Sequence, residues 1–373
     1  MSAPRILHIF STFAPAGPEL RAVSLIRALG DSYQHSILAI DGCTDAAKML
    51  PDRADVKVLE APPRAGTMKT VRRLRAIIRS VQPDLVCTYN WGAMDGTMAA
   101  VGCKVPVIHH EDGFNVDESK RFKRRRIWWR RALLPLTQRV VVPSVQLEKI
   151  ALDLWKLKPE KIQRIANGID PSRFNAADGN AALRQDLGIP QSACLVGFMG
   201  HLRPVKNAAR LLEAAAPLAQ EHELHLLIIG DGEERSQLES LAEQPPLKGR
   251  VHFTGHLEDP RAHLRATDIF ALSSDSEQHP VALLEAMASS LPVASTRVGD
   301  VEHILGESQH PYISPLETDA GGLRSALRGL IIDESLRRDL GRKNAQRVKE
   351  AFTHEAMLEQ HAELWRSGVE AAI

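Results

Sequence analysis

The sequence predicts an α/β protein made of two doubly wound, parallel-sheet domains of Rossmann-like type that face a cleft. Three observations carry the prediction. Short apolar runs recur without polar alternation, each followed by a helical pattern; the runs fall into two series; and a segment rich in Gly, Asn, Asp and Pro, residues 165–191, separates the series. A strand covered on both faces has no polar side to alternate with, and strands that take turns with helices pair in parallel. A chain of 373 residues also exceeds one ordinary core and suits two domains of roughly 150 to 200 residues.

In chain order, the first series is RILHIF (5–10), HSILAI (35–40), DLVCTY (84–89), VPVIHH (105–110) and RVVVPS (139–144). The second is CLVGFMG (194–200), LHLLIIG (224–230), VHFTG (251–255), DIFALSS (268–274) and LPVAST (291–296). Residues 1–170 are assigned to an N-terminal domain, 171–350 to a C-terminal domain, and 351–373 to a helix that returns to the N-terminal domain. The segment 165–191 has linker chemistry. The tail ESLRRDLGRKNAQRVKEAFTHEAMLEQHAELW (334–365) reads as two long helices broken near Thr353.

Composition excludes several function classes. Hydrophobic residues at 44% and charged residues at 25% exclude a mainly disordered chain. With 47 Lys plus Arg against 46 Asp plus Glu, no global field recruits nucleic acid. Cys43, Cys87, Cys103 and Cys194 show no metal-ligand spacing and read as buried thiols in a reducing compartment. The N-terminal apolar run is shorter than a signal-peptide core, and no stretch approaches a ~20-residue membrane span. The expectation is a cytoplasmic protein with no metal.

SSDSEQHPVALLEAMASSLPVAST (273–296) concentrates the chemistry. DIFALSS is a strand, SDSEQHP the loop beyond its carboxyl end, and ligands of open parallel sheets sit there. Pro280 suits the first position of a helix running from about 280 to 289. Glu277 then stands in the loop and Glu285 in the second turn, roughly 7 Å along the axis at ~1.5 Å per residue. The unpaired amides of Val281, Ala282 and Leu283 lie between them, where an anion such as phosphate is favoured. Two carboxylates flanking a phosphate site fit a nucleotide sugar, one accepting from sugar hydroxyls and the other from the ribose. The alternative for the spacing alone is a capping loop and a solvated helix glutamate.

ExxxxxxxE followed by AMASSLPVAST and VGDVEHIL resembles the signature of the retaining glycosyltransferases of family four, with the glycosyltransferase-B (GT-B) fold. NGID (167–170), GHLRPVKN (200–207), IIGDGEERSQLE (228–239) and VHFTGHLED (251–259) follow in that family's order, densely in the C-terminal half and loosely in the N-terminal half. The resemblance implies that Glu277 contacts the donor sugar, Glu285 the ribose and Lys206 the diphosphate, with a nucleotide sugar as co-substrate and no other cofactor. It also implies a hexosyltransferase of cell-envelope polysaccharide synthesis that passes the sugar to an acceptor with retention; a glycan or lipid-linked acceptor is expected from the basic aromatic stretch described next. Donor recognition further involves the turn at Gly230. Two departures stand out: His201 occupies the family's usual arginine position, with Arg203 two residues on, and the family's GG loop is reduced to Ala16-Gly17-Pro18.

HHEDGF (109–114) ends a parallel strand on the N-terminal side, where the family places a histidine near the reacting carbon. His110 and Asp112 are the candidates, and the spacing leaves open which of His109, His110 and Asp112 takes that place. The alternative for the two histidines is core packing. TYNWGAMDG (88–96) offers Asn90, Trp91 and Asp95 to an acceptor pocket. KRFKRRRIWWRR (120–131) has eight basic residues in twelve; read as a helix, it aligns Phe122, Trp129, Leu133 and Leu136 in one stripe. Arg124, Arg125, Arg126, Trp128 and Trp129 then suit an acceptor or an anionic membrane surface on the inner face, the alternative being a helix packed on its own domain with solvated arginines. Two other readings stay open: a nucleotide-sugar epimerase of the same fold and a non-catalytic nucleotide-sugar-binding module.

Overall fold

The structure is a computed structural model and describes residues 3–53, 55–63, 65–114, 118, 122–174 and 180–371. Lys120 and Arg121 of the basic stretch, and 175–179 of the linker, lie outside the described residues. The chain divides into two compact units, Met1–Ala166 with Ala356–Ile373, and Asn167–Glu355.

The first unit carries a seven-stranded sheet in the order β3-β2-β1-β4-β5-β6-β7. Its strands are β1 (Arg5–Phe10), β2 (Gln34–Ala39), β3 (Val56–Val58), β4 (Leu85–Tyr89), β5 (Val107–His110), β6 (Arg139–Val142) and β7 (Ile162–Arg164). Every pairing is parallel. The unbroken apolar runs follow from cover on both faces. Ile6 and Phe10 pack with helix Gly17–Leu29 and with Leu364 and Trp365, while Leu7 and Ile9 pack with helices Thr67–Val81 and Met94–Gly102. The tail forms helices Glu334–Ala351 and His354–Glu370. The second lies close on the first sheet: a Cβ at Gly368 would come 3.0 Å from Leu85, and the Trp365 ring centre is 5.6 Å from that of His8.

The second unit carries a six-stranded sheet, β10-β9-β8-β11-β12-β13. The strands are β8 (Cys194–Met199), β9 (Leu224–Ile229), β10 (Val251–Gly255), β11 (Ile269–Leu272), β12 (Val293–Thr296) and β13 (Ile313–Ser314), again all parallel. Val196, Phe198, Leu226 and Ile228 anchor its core against helices Ala208–Glu221 and Asp319–Ile331. Gly168 of NGID is held to glycine by a close crossing, since a Cβ there would lie 2.1 Å from the Thr353 carbonyl oxygen.

In both sheets the chain steps outward from the first strand, then returns to its other side with the fourth. That reversal makes a crevice beyond the carboxyl ends of β1 and β4 in one unit and of β8 and β11 in the other, which is where doubly wound sheets bind ligands.

Candidate functional site

In the second unit the β8 loop delivers Lys206 and the β11 loop delivers Glu277 to the reversal point. The Lys206 ammonium lies 2.5 Å from a Glu277 carboxylate oxygen, which also accepts from the Ser274 hydroxyl at 2.8 Å. Each loop is tied down by its own neighbours. Asn207 adopts a left-handed conformation (φ 45°) that ends the short turn after β8, and its side-chain oxygen caps helix Ala208–Glu221 by accepting from the Arg210 amide at 3.1 Å. Arg210, itself buried, donates to the Ser273 carbonyl at 2.7 Å and pairs with Asp275 at 2.8 Å. The Asp275 amide donates to Val205 at 2.8 Å, and the Thr296 hydroxyl to the Ser274 carbonyl at 2.6 Å. Beyond Glu277, Asp300 donates its amide to the Gln278 carbonyl at 3.0 Å and Asn167 its side-chain amide to that of His279 at 2.8 Å. Gly299 passes under this loop at φ +51°, where a Cβ would fall 2.3 Å from the Glu277 carbonyl oxygen.

The helix after the loop spans Val281–Ala288, and Pro280, in extended conformation, is its cap and not its first residue. One of the three expected amides is occupied: Leu283 donates to the Pro280 carbonyl at 3.2 Å, and its side chain is buried. Val281 and Ala282 supply the remaining terminal N–H groups. Glu285 lies one turn along. Burial pushes its carboxyl up to about 7, the Arg173 guanidinium pulls it down and Asp259 adds to the rise. His201 and Arg203 are both exposed at the β8 end. Gly230 approaches the same place from β9 with φ +136°, and a Cβ would lie 2.0 Å from the Gly200 carbonyl oxygen, so that position admits glycine alone.

In the first unit the crevice gathers residues that the sequence singled out and others that it did not. Asp112 is held in a two-pronged ion pair by Arg21 of helix Gly17–Leu29, one prong measuring 2.9 Å. Its amide donates to the Asn90 side-chain oxygen at 2.7 Å. Glu19, on the same helix, is buried; burial drives its carboxyl up to about 7, with Asp112 adding to the rise and Arg21 opposing it. Gly17 faces open space, with nothing within 4 Å of a Cβ built on it.

His110 requires a correction. It is 0% exposed and stacks between Tyr89 and His361, ring centres 4.8 and 5.8 Å away. Its place is therefore in the packing beneath the crevice, and Asp112 is the member of HHED that is not fully buried. The expected apolar stripe is also corrected. The helix begins at Arg124 and ends at Leu133, Phe122 precedes it, and Leu136 follows it with 60% exposure. Nor are all its arginines solvated. Arg126 pairs with Glu118 at 2.9 Å and lies over the Trp91 ring, and Arg130 is 0% exposed. Arg124, Arg125 and Trp128 remain at the surface and Trp129 is half-buried. Arg21, Glu19, Glu111 and Arg130 escaped sequence reading. The alternation of HHED offered a signal for one of them, since a strand end that turns Asp112 to one side turns Glu111 to the other.

Two matches together span most of the chain: residues 16–168 match the glycosyl transferase 4-like domain and residues 180–347 the glycosyl transferases group 1. The chain belongs to the group 1 glycosyltransferases. As a member of that group it is 29% identical over 210 residues to the N-acetyl-alpha-D-glucosaminyl L-malate synthase of Bacillus anthracis, covering 56% of this chain and 55% of that protein. It is 32% identical over 213 residues to the lipopolysaccharide core biosynthesis glycosyltransferase LpsE of Rhizobium meliloti (strain 1021), covering 57% and 59%. The match thus spans little more than half the length of these curated relatives. Among solved structures, HepE of Anabaena in complex with UDP-glucose superimposes with TM-score 0.81 at 20% identity, over 97% of this chain and 99% of that one. WaaG, a glycosyltransferase involved in lipopolysaccharide biosynthesis, does so with TM-score 0.74 at 18% identity, over 96% and 99%. At such identities the likeness establishes the fold, which is GT-B. Among the described residues no group of three or more His, Cys, Asp or Glu is placed to hold a metal ion, and no helix is long and apolar enough to cross a membrane.

Proposed function

We propose that this group 1 transferase moves a hexose from a UDP-sugar, held by the second unit, to a glycan or lipid-linked acceptor held by the first, with retention at the sugar carbon. The observation that carries the reading is the Lys206–Glu277 pair, 2.5 Å apart where β8 and β11 diverge, in front of a helix N-terminus that also bears Glu285. A diphosphate takes the Lys206 ammonium and the amides of Val281 and Ala282. Glu277, released from Lys206, accepts from the sugar hydroxyls, and Glu285 from the ribose. Arg203 and His201 stand at the same strand end, available to the outer phosphate. With Glu277 committed to hydroxyls, the reaction runs on one face of the sugar: the bond from the sugar carbon to the diphosphate oxygen breaks, the bond to the acceptor oxygen forms, and the acceptor proton passes to the departing diphosphate. UDP as the nucleotide is supported by the UDP-glucose bound to HepE and by the likeness to an Escherichia coli UDP-Gal:alpha-D-GlcNAc-diphosphoundecaprenol alpha-1,3-galactosyltransferase, 27% identical over 237 residues.

The test is a thermal-shift screen against UDP-, GDP-, ADP- and TDP-sugars, followed by turnover. Occupancy at a hundredfold excess over Kd stabilises the native state by about 2.7 kcal/mol. UDP-sugars are expected to stabilise the wild type, and Lys206→Ala and Glu277→Ala to cut turnover at least a hundredfold while remaining folded. Near-normal turnover in either variant removes the assignment. A second reading, donor binding without transfer, draws on Asp112, which is locked to Arg21 where the family resemblance leads one to look for a histidine. Stabilisation by a UDP-sugar with neither transfer nor hydrolysis favours it. Release of an altered nucleotide sugar without acceptor indicates an epimerase instead.

A further inference from the structure

The first unit contains a buried charge that the proposed reaction leaves unexplained. Arg130 is 0% exposed although it sits on the most basic helix of the chain. Its guanidinium forks onto Glu111, Nε to Oε2 at 3.0 Å and Nη2 to Oε1 at 3.1 Å, and reaches Glu118 at 3.4 Å. Three aromatic faces enclose it, with its central carbon 5.1 Å from the ring centre of Trp91, 5.6 Å from Phe114 and 5.0 Å from Trp155. Glu111 is likewise 0% exposed and lies 3.5 Å from His109 Nε2. The His109 Nδ1 meets the Thr88 hydroxyl at 2.8 Å, which meets that of Thr97 at 2.9 Å. Polar groups this deeply buried are retained at a cost unless every partner is in place, so the set behaves as one unit.

The partners of Arg130 have a common feature. Glu111 is the neighbour of Asp112, Phe114 follows two residues later, and Trp91 is the neighbour of Asn90. The two loops are themselves joined by the Asp112 amide to the Asn90 side chain at 2.7 Å. One guanidinium therefore joins the loops after β4 and β5 through Trp91 and Glu111, and the same loops carry Asn90 and Asp112 at the carboxyl ends of those strands.

We infer that Arg130 is a positioning residue for the half-site of the first unit that holds the attacking oxygen, of water as well as of a glycan: by clamping Glu111 and Trp91 it fixes the loops that carry Asp112 and Asn90. A planar fork is needed for this, because a lysine ammonium can satisfy the charge but cannot bond both carboxylate oxygens in one plane and stack on three rings. The inference rests on the transferase reading for its catalytic consequence but not for the clamp itself.

The experiment uses full-length protein carrying Arg130→Lys and, separately, Glu111→Gln, which retains shape and loses charge. Three readouts are taken: UDP affinity by calorimetry, kcat and KM for UDP-glucose with water as the acceptor, and amide hydrogen exchange of peptides spanning 86–94 and 107–114. The expected result for Arg130→Lys is UDP affinity within twofold of wild type, kcat lowered at least tenfold with KM for UDP-glucose little changed, and faster exchange in both peptides together. Glu111→Gln is expected to move the same readouts in the same direction. Unchanged exchange in both peptides overturns the clamp whatever the rates do. Faster exchange with unchanged kcat overturns the positioning role and leaves Arg130 as packing. If wild-type protein binds no UDP, the reading of a UDP-sugar donor has failed, and the exchange measurement still decides the clamp.

Discussion

At the scale of single residues, Glu285 is the group whose chemistry is most exposed to test. Its carboxyl, ordinarily near 4.5, is raised by burial to about 7. Between those two values the folded protein keeps a proton that the unfolded chain has lost. The unfolded state then binds fewer protons, so stability falls as pH rises from 4.5 through 7. The penalty, fully developed above pH 7, is about 3 kcal/mol. Glu285→Gln is therefore expected to be more stable than wild type at pH 8, by an amount between about 1 and 3 kcal/mol, and nearly equal to it at pH 4.5. Donor binding is expected to run the other way. Ribose hydroxyls donate best to the ionised carboxylate, so wild type should bind UDP more tightly at pH 8 than at pH 6, while the variant binds it weakly at both. Denaturation and calorimetry at those values check both halves; tight, pH-independent UDP binding by the variant ends the ribose role.

At the scale of elements, the helix Arg124–Leu133 shows what sequence can and cannot reveal. Its basic residues were plain to read, but their separation into a buried set and an exposed set was not. Arg126 and Arg130 turn inward because Glu111 and Glu118 wait there, and no helical or strand period announces partners eight to nineteen residues away. What remains outside, Arg124, Arg125 and the 62% exposed Trp128, suits the interface of an anionic bilayer. Vesicles containing acidic phospholipid are expected to sediment wild type and to lose at least half of that binding when Arg124 and Arg125 become glutamine and Trp128 becomes alanine; equal sedimentation removes the membrane preference. The same contrast between local and distant information runs through the sheets. The long central strands were legible because burial on both faces writes an apolar run. The edge strands β3, β7 and β13 were missed because they are two or three residues long and β3 exposes Lys57 and Val58. Around the proposed donor site, Glu277, Lys206 and Glu285 could be found from spacing and family likeness, whereas Arg210, Asn167 and Gly299, which hold the loop in shape, are distant in sequence and become visible only through their contacts.

At the scale of the whole molecule, the two units respond differently to acid. The first holds His8, His35, His110 and His361 in its interior. Burial is the leading cause in every case: it takes His8 and His110 well below their ordinary value of 6.5, His35 to about 4 and His361 to about 3. Neighbouring groups add to this or oppose it. His35 presses on His8; Asp55 raises His35 and Arg53 lowers it; Arg21 presses on both His110 and His361. Below pH 6.5 the unfolded chain takes up protons at these positions that the folded unit refuses, so the unfolded state binds more and stability is lost as pH falls. Glu19, raised to about 7, gains a proton in the folded unit over part of the same window and offsets one of the four histidines. The net effect in the first unit is of order 1 to 4 kcal/mol per pH unit between 6.5 and the lowered values. In the second unit Glu285 works in the opposite sense, against more modest lowering at His225, His252 and His263. A native probe separates the two responses: the five tryptophans, Trp91, Trp128, Trp129, Trp155 and Trp365, all belong to the first unit. Between pH 7.5 and 5, the unfolding midpoint followed by tryptophan fluorescence is expected to fall by several degrees more than the midpoint of the remaining, fluorescence-silent part of the transition followed by far-ultraviolet circular dichroism. Coincident midpoints that shift together would mean that the two units unfold as one cooperative block, and that the buried histidines of the first unit set the acid limit for both.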